Sequence, residues 1–66
     1  MHFEEYDLVK TIVEKEGYPI GTQGCIVSFY SDGLACEVEI WNKNNYPIDV
    51  VTYELNEIKL IWRNNP

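Results

Sequence analysis

Residues 24–41 read GCIVSFYSDGLACEVEIW, and this stretch decides the fold. Two runs rich in β-branched and aromatic residues, Gly24–Tyr30 and Ala35–Trp41, flank the loop Ser31-Asp32-Gly33-Leu34. Such runs around a short Gly-containing loop form a β-hairpin, with Gly33 free to take positive φ. A four-residue loop places Tyr30 opposite Ala35. Phe29 then lies beside Cys36, Val27 beside Val38 and Cys25 beside Ile40, so all six share the core face. Glu37, Glu39, Tyr30 and Trp41 point the other way. A slip of one residue would drive both glutamates inward, because side chains alternate with period two.

Working outward, the sequence predicts three more strands: Asp7–Val13, Pro47–Tyr53 and Ile58–Trp62. Leu8–Val13 and Ile48–Tyr53 carry apolar residues on both parities, as strands do where a sheet curls tightly. Glu54-Leu55-Asn56-Glu57 is too short for an α-helix and suits a 3₁₀ turn before a final strand. The closing Asn64-Asn65-Pro66 reads as a frayed tail. Five short strands and one turn predict an all-β fold, a sheet curled into a small five-stranded barrel occupying residues 1–66 as a single domain.

That register also places the cysteines. Cys25 and Cys36 fall about four residues apart along the ladder, roughly 13 Å at strand rise. A disulfide requires Cα atoms within about 7 Å. Both are therefore expected as free thiols acting as small core hydrophobes.

Eleven acidic against five basic residues give a net charge of −6. A small body with this charge repels phosphate backbones and anionic lipid, which argues against nucleic acid and membranes as partners. It favours a basic protein partner. The opening MHFEEYD has neither a basic nor an apolar leader region, and no apolar run approaches the ~20 residues that span a bilayer. A soluble, cytoplasmic protein with reduced thiols is expected.

Several stretches together resemble a known pattern: Tyr6-Asp7-Leu8-Val9, Ile20-Gly21-Thr22-Gln23-Gly24-Cys25-Ile26-Val27, Phe29-Tyr30-Ser31-Asp32-Gly33, Ala35-Cys36-Glu37-Val38-Glu39-Ile40 and Val51-Thr52-Tyr53 before Ile58. The pattern, from about Tyr6 to Ile61, is similar to the short bacterial proteins of domain-of-unknown-function family 4926. Cys25 and Cys36 depart from it, since Thr or Val and an aromatic are more usual there. The polar turn Asn42–Asn45 is longer than usual. The resemblance implies an SH3-like barrel encoded beside polymorphic-toxin or contact-dependent-inhibition genes, where small acidic proteins act as immunity factors. It supplies no catalytic residues.

Catalysis finds no constellation in the sequence. His2, the single histidine, stands near the N-terminus without a partner at useful spacing. No nucleophile–base pair, paired-carboxylate or metal-ligand arrangement can be assembled. Cofactors and metals are not expected. Gly21 and Gly24 lack the following helix and the Lys or Ser/Thr of a phosphate loop, and read as a turn and a bulge.

Binding is the better-supported chemistry. Trp and Tyr are favoured interface anchors, and bracketing carboxylates attract a basic partner. One candidate surface is therefore Tyr30, Asp32, Glu37, Glu39 and Trp41. Against it stands the alternative that Trp41 folds over the end of the sheet onto Tyr46 or Ile48. A second acidic set, Asp49, Glu54 and Glu57, could fill the phosphate pocket of a nuclease toxin. Two functions follow: an immunity protein neutralising a basic toxin domain, or a general protein-interaction module or subunit. Free, the protein is expected as a monomer or weak dimer.

Overall fold

A computed structural model describes residues 2–63. The tail expected at Asn64-Asn65-Pro66 lies outside the described residues. Five strands form one antiparallel sheet: β1 Leu8–Thr11, β2 Gln23–Phe29, β3 Ala35–Trp41, β4 Pro47–Glu54 and β5 Ile58–Trp62. A 3₁₀ turn, η1, spans Leu55–Glu57 between β4 and β5. The strand order is β4-β3-β2-β1-β5.

The closed barrel expected from the sequence does not form. β4 and β5 are the two edges, no ladder joins them, and the chain measures 28 × 27 × 17 Å, a flattened body. Closure would require the outward N–H groups of β4 to meet β5. Carboxylates take up two of them: the Val50 N–H donates to Asp49 Oδ1 and the Glu54 N–H to Glu57 Oε1, each at 2.8 Å.

The hairpin turn follows the sequence reading. The Tyr30 N–H donates to the Ala35 carbonyl at 3.0 Å, Gly33 has φ +74°, and Phe29 pairs with Cys36. Asp32 Oδ1 accepts the Leu34 N–H at 2.9 Å, an Asx turn that holds the loop. Beyond Ser28 the register departs from the expected one. Val27 is a bulge, so Ile26 pairs with Val38, Cys25 with Glu39, and Gly24 with Ile40.

Packing explains the shift. The bulge sends the larger Ile26 into the core in place of Val27, and puts the side-chain-free Gly24 against β3. A Cβ on Gly24 would lie 2.5 Å from Val38 Cγ1 and 2.6 Å from the Glu39 carbonyl oxygen. Only glycine permits that approach. Cys25 consequently leaves the core face, while Cys36 stays buried; both thiols are free.

The core consists of Phe3, Val9, Ile26, Cys36, Val38, Ile40, Val51, Tyr53 and Ile58. Val13, Tyr18, Phe29 and Leu55 pack against it. The Tyr53 hydroxyl is buried without a partner among the described residues, and Lys15 Nζ lies 5.3 Å from the Tyr53 ring centre.

One polar clamp ties the chain ends together. Asp7 is 1 % exposed, and Arg63 grips it with two bonds, Nε to Oδ1 at 2.8 Å and Nη2 to Oδ2 at 2.7 Å. The same Oδ2 accepts the Glu4 N–H, and Arg63 Nη2 also donates to the His2 carbonyl. Bidentate pairing of this kind fixes both position and orientation. Among the described residues no helix is long and apolar enough to cross a membrane.

Candidate functional site

With the core on one face, the other face of the sheet is open. Cross-strand pairing sorts its residues into rows. One row runs Trp62, Leu8, Cys25, Glu39, Val50 from β5 to β4. On one side of it stand Lys59, Lys10 and Gln23, with Trp41 at the end of β3. On the other side come Ser28, Glu37 and Thr52, then Ala35 and Glu54 beyond them. The face thus grades from two lysines, through an apolar band, to carboxylates.

A groove of about 400 Å³ is cut into the apolar band. Leu8, Gly24 and Cys25 form its floor, Tyr6, Trp41 and Trp62 its walls, and Gln23, Asn42 and Asn45 its polar rim. Trp41 is 42 % exposed and Trp62 57 % exposed, so Trp41 stands as a wall of the groove and is not folded away over the sheet end. Tyr6 is held at φ 70°, a conformation that a bulky residue seldom adopts. Asn42 Oδ1 accepts the N–H groups of Asn44 and Tyr46 at 2.8 and 3.1 Å, which fixes the rim beside Trp41.

The two acidic sets read from the sequence are regrouped. Glu37 and Glu39 lie half-buried on the open face, Glu37 accepting the Ser28 hydroxyl at 2.8 Å. Glu54 shares that face, in register with Ala35. Tyr30 is exposed at its end, its hydroxyl 3.0 Å from Thr52 Oγ1, and Asp32 is occupied in the turn. Asp49 has the parity of the core residues Val51 and Tyr53, and accepts the Tyr18 hydroxyl at 2.8 Å. Glu57 is drawn away by Lys15, whose Nζ donates to Oε1 at 2.8 Å. The hydrogen bond from Lys15 holds the Glu57 carboxyl below its ordinary pKa. Asp49 and Glu57 are therefore parts of the frame, and only Glu54 of that set joins Glu37 and Glu39.

Sequence reasoning missed Leu8, Tyr6, Trp62 and the asparagine rim. Trp62 was legible only as a strand end, and only the β1–β5 pairing brings it across from Leu8. The Cys25 thiol on the groove floor is pushed above its ordinary pKa by burial and then by the Glu39 and Asp7 charges. It stays protonated at neutral pH and offers a small apolar surface. Among the described residues no three His, Cys, Asp or Glu side chains are placed to hold a metal ion. What the face offers chemically is apolar burial between aromatic walls, beside fixed negative charge.

No protein-family model, curated protein or solved structure matches the chain.

Proposed function

We propose that this chain is a non-enzymatic immunity protein, which binds and neutralises a basic toxin domain made by the same or neighbouring bacteria. The observation that carries the reading is the open sheet face, where Glu39 adjoins Cys25 in the groove walled by Trp41 and Trp62 and Glu37 and Glu54 lie farther along the same face. Aromatic anchors in a desolvated pocket supply affinity, and neighbouring carboxylates steer a basic partner onto it. The net charge of −6 adds long-range attraction for such a partner. The resemblance to domain-of-unknown-function family 4926 supports the toxin-neutralising role. A nuclease of a contact-dependent-inhibition or polymorphic toxin system fits the charge, because its substrate site is itself basic.

The test pairs the protein with the product of any toxin gene encoded next to its own. By titration calorimetry, Glu37→Lys/Glu39→Lys weakens binding by a hundredfold or more while leaving the melting temperature within a few degrees. Asp49→Lys, on the other side of the sheet, leaves affinity within threefold. Undiminished binding by the double reversal removes the proposal.

A further inference from the structure

Lys10 and Lys59 sit directly opposite one another on β1 and β5, in a chain of net charge −6. Like charges in that position are unfavourable in an isolated sheet. The ion pairs among the described residues use His2, Lys15 and Arg63, and leave both of these lysines without a carboxylate. On the same face, Glu37 and Glu54 stand at the opposite corner, and the apolar groove lies between the two corners. A face with plus at one corner, minus at the other and apolar surface in the middle is complementary to itself.

We infer that a second copy of this chain docks on the open face, related by a two-fold axis that lies in that face and passes through Cys25 at about 45° to the strands. The geometry can be laid out from strand spacing of about 4.8 Å and a two-residue rise of about 6.8 Å. With Cys25 as origin, Lys10 lies one strand and one row away, and Glu37 one strand and one row away in the opposite sense. Rotation about the diagonal axis brings Lys10 of one copy to within about 3 Å of the Glu37 position of the other. Lys59 falls between Glu37 and Glu54. Trp41 lies near the axis and meets its own counterpart, while Leu8 and Trp62 cover the mate's β2. The strands of the two sheets cross at nearly right angles, an established packing mode. The interface is isologous, so each lysine–glutamate contact occurs twice.

Its size sets its strength. Five strands by three row spacings cover about 19 × 20 Å in projection, which places the contact below the standard interface class. The dimer is weak and reversible, and it occupies the surface through which a basic partner is proposed to bind. It does not depend on that reading, since it concerns the protein alone.

Sedimentation equilibrium of the free protein tests it. Between about 10 µM and 1 mM the mean mass rises from 7.7 kDa towards twice that value. Lys10→Glu/Lys59→Glu and Glu37→Lys/Glu39→Lys remain monomeric at 1 mM with unchanged circular dichroism, and an equimolar mixture of the two recovers a heterodimer. Trp41→Ala weakens the wild-type dimer at least tenfold. A wild-type monomer at 1 mM overturns the inference, as does a mixture of folded variants that fails to associate. Dimers that survive both charge reversals overturn it too, because they would show pairing through a sheet edge.

Discussion

Replacing Gly24 with alanine separates the two registers that the hairpin sequence allows. In the register without a bulge, position 24 lies off the core face and Gly24→Ala would raise stability by about 0.5–1 kcal/mol, by restricting the unfolded chain. In the structure the new Cβ meets Val38 Cγ1 at 2.5 Å and the Glu39 carbonyl oxygen at 2.6 Å. The Val38 methyl can yield a little, but the carbonyl belongs to the ladder. Restoring van der Waals distance moves β2 from β3 by about 0.6 Å, which weakens flanking backbone hydrogen bonds worth about 1 kcal/mol each. Overpacking of this kind costs about 1–3 kcal/mol. After the gain from the unfolded state is subtracted, the net loss is about 2 kcal/mol. A domain of this size commands about 3–5 kcal/mol in total, so the variant keeps about half. Urea unfolding followed by tryptophan fluorescence shows the midpoint falling by about 2 M at an m-value near 1 kcal/mol/M. An unchanged or higher midpoint would refute both the bulge and the close approach at Gly24.

Four further expectations concern the Asp7–Arg63 clamp, Tyr53 and the two thiols. Asp7→Asn sets an amide N–H₂ against the donors of Arg63 and Glu4, costing about 2–3 kcal/mol in thermal melts; a loss under 1 kcal/mol would show that the clamp is idle. The same clamp makes stability fall in acid: the Arg63 hydrogen bond keeps Asp7 below its ordinary pKa, so its contribution is full above about pH 4 and disappears as pH drops through the folded-state value, and Asp7→Asn flattens that limb of the stability curve. Tyr53→Phe removes a buried hydroxyl that has no partner, so the melt stays unchanged or rises by about 1 kcal/mol, whereas a loss of that size would show that the hydroxyl is satisfied. Ellman's reagent at pH 8 labels Cys25 slowly, because burial and nearby carboxylates raise its pKa, and leaves Cys36, pushed up to about 11 by burial, untouched until denaturant exposes it.

Local chemistry made much of this fold legible. The Asp-Gly turn, the alternating Cys36-Glu37-Val38-Glu39-Ile40 strand and the short Glu54–Glu57 segment each carry their own signal, and β3 and β5 begin and end where the pattern predicts. The bulge at Val27 was hidden because both parities of β2 are apolar, so alternation could not tell Ile26 from Val27 as the core residue. Closure into a barrel was not legible, because it depends on whether the β4 edge finds a strand or its own carboxylates. The binding face was half visible. Trp41, Glu37 and Glu39 follow from strand parity, but Leu8, Trp62, Lys10 and Lys59 join them only through pairings between β1, β2 and β5 that no local pattern specifies.

The carboxylates of Asp49 and Glu57 along the β4 edge also bear on how the protein survives at high concentration. An edge strand with free N–H groups is a template on which another chain can grow a sheet without limit. Here the exposed Ile48 and Val50 would make such growth adhesive. Asp49 and Glu57, folded back over the Val50 and Glu54 amides, leave an incoming strand facing negative charge where it needs donors. The two side chains that the open face does not use therefore act as gatekeepers against fibre formation, and they let the protein expose a sticky surface on its face while its edge stays closed to polymerisation.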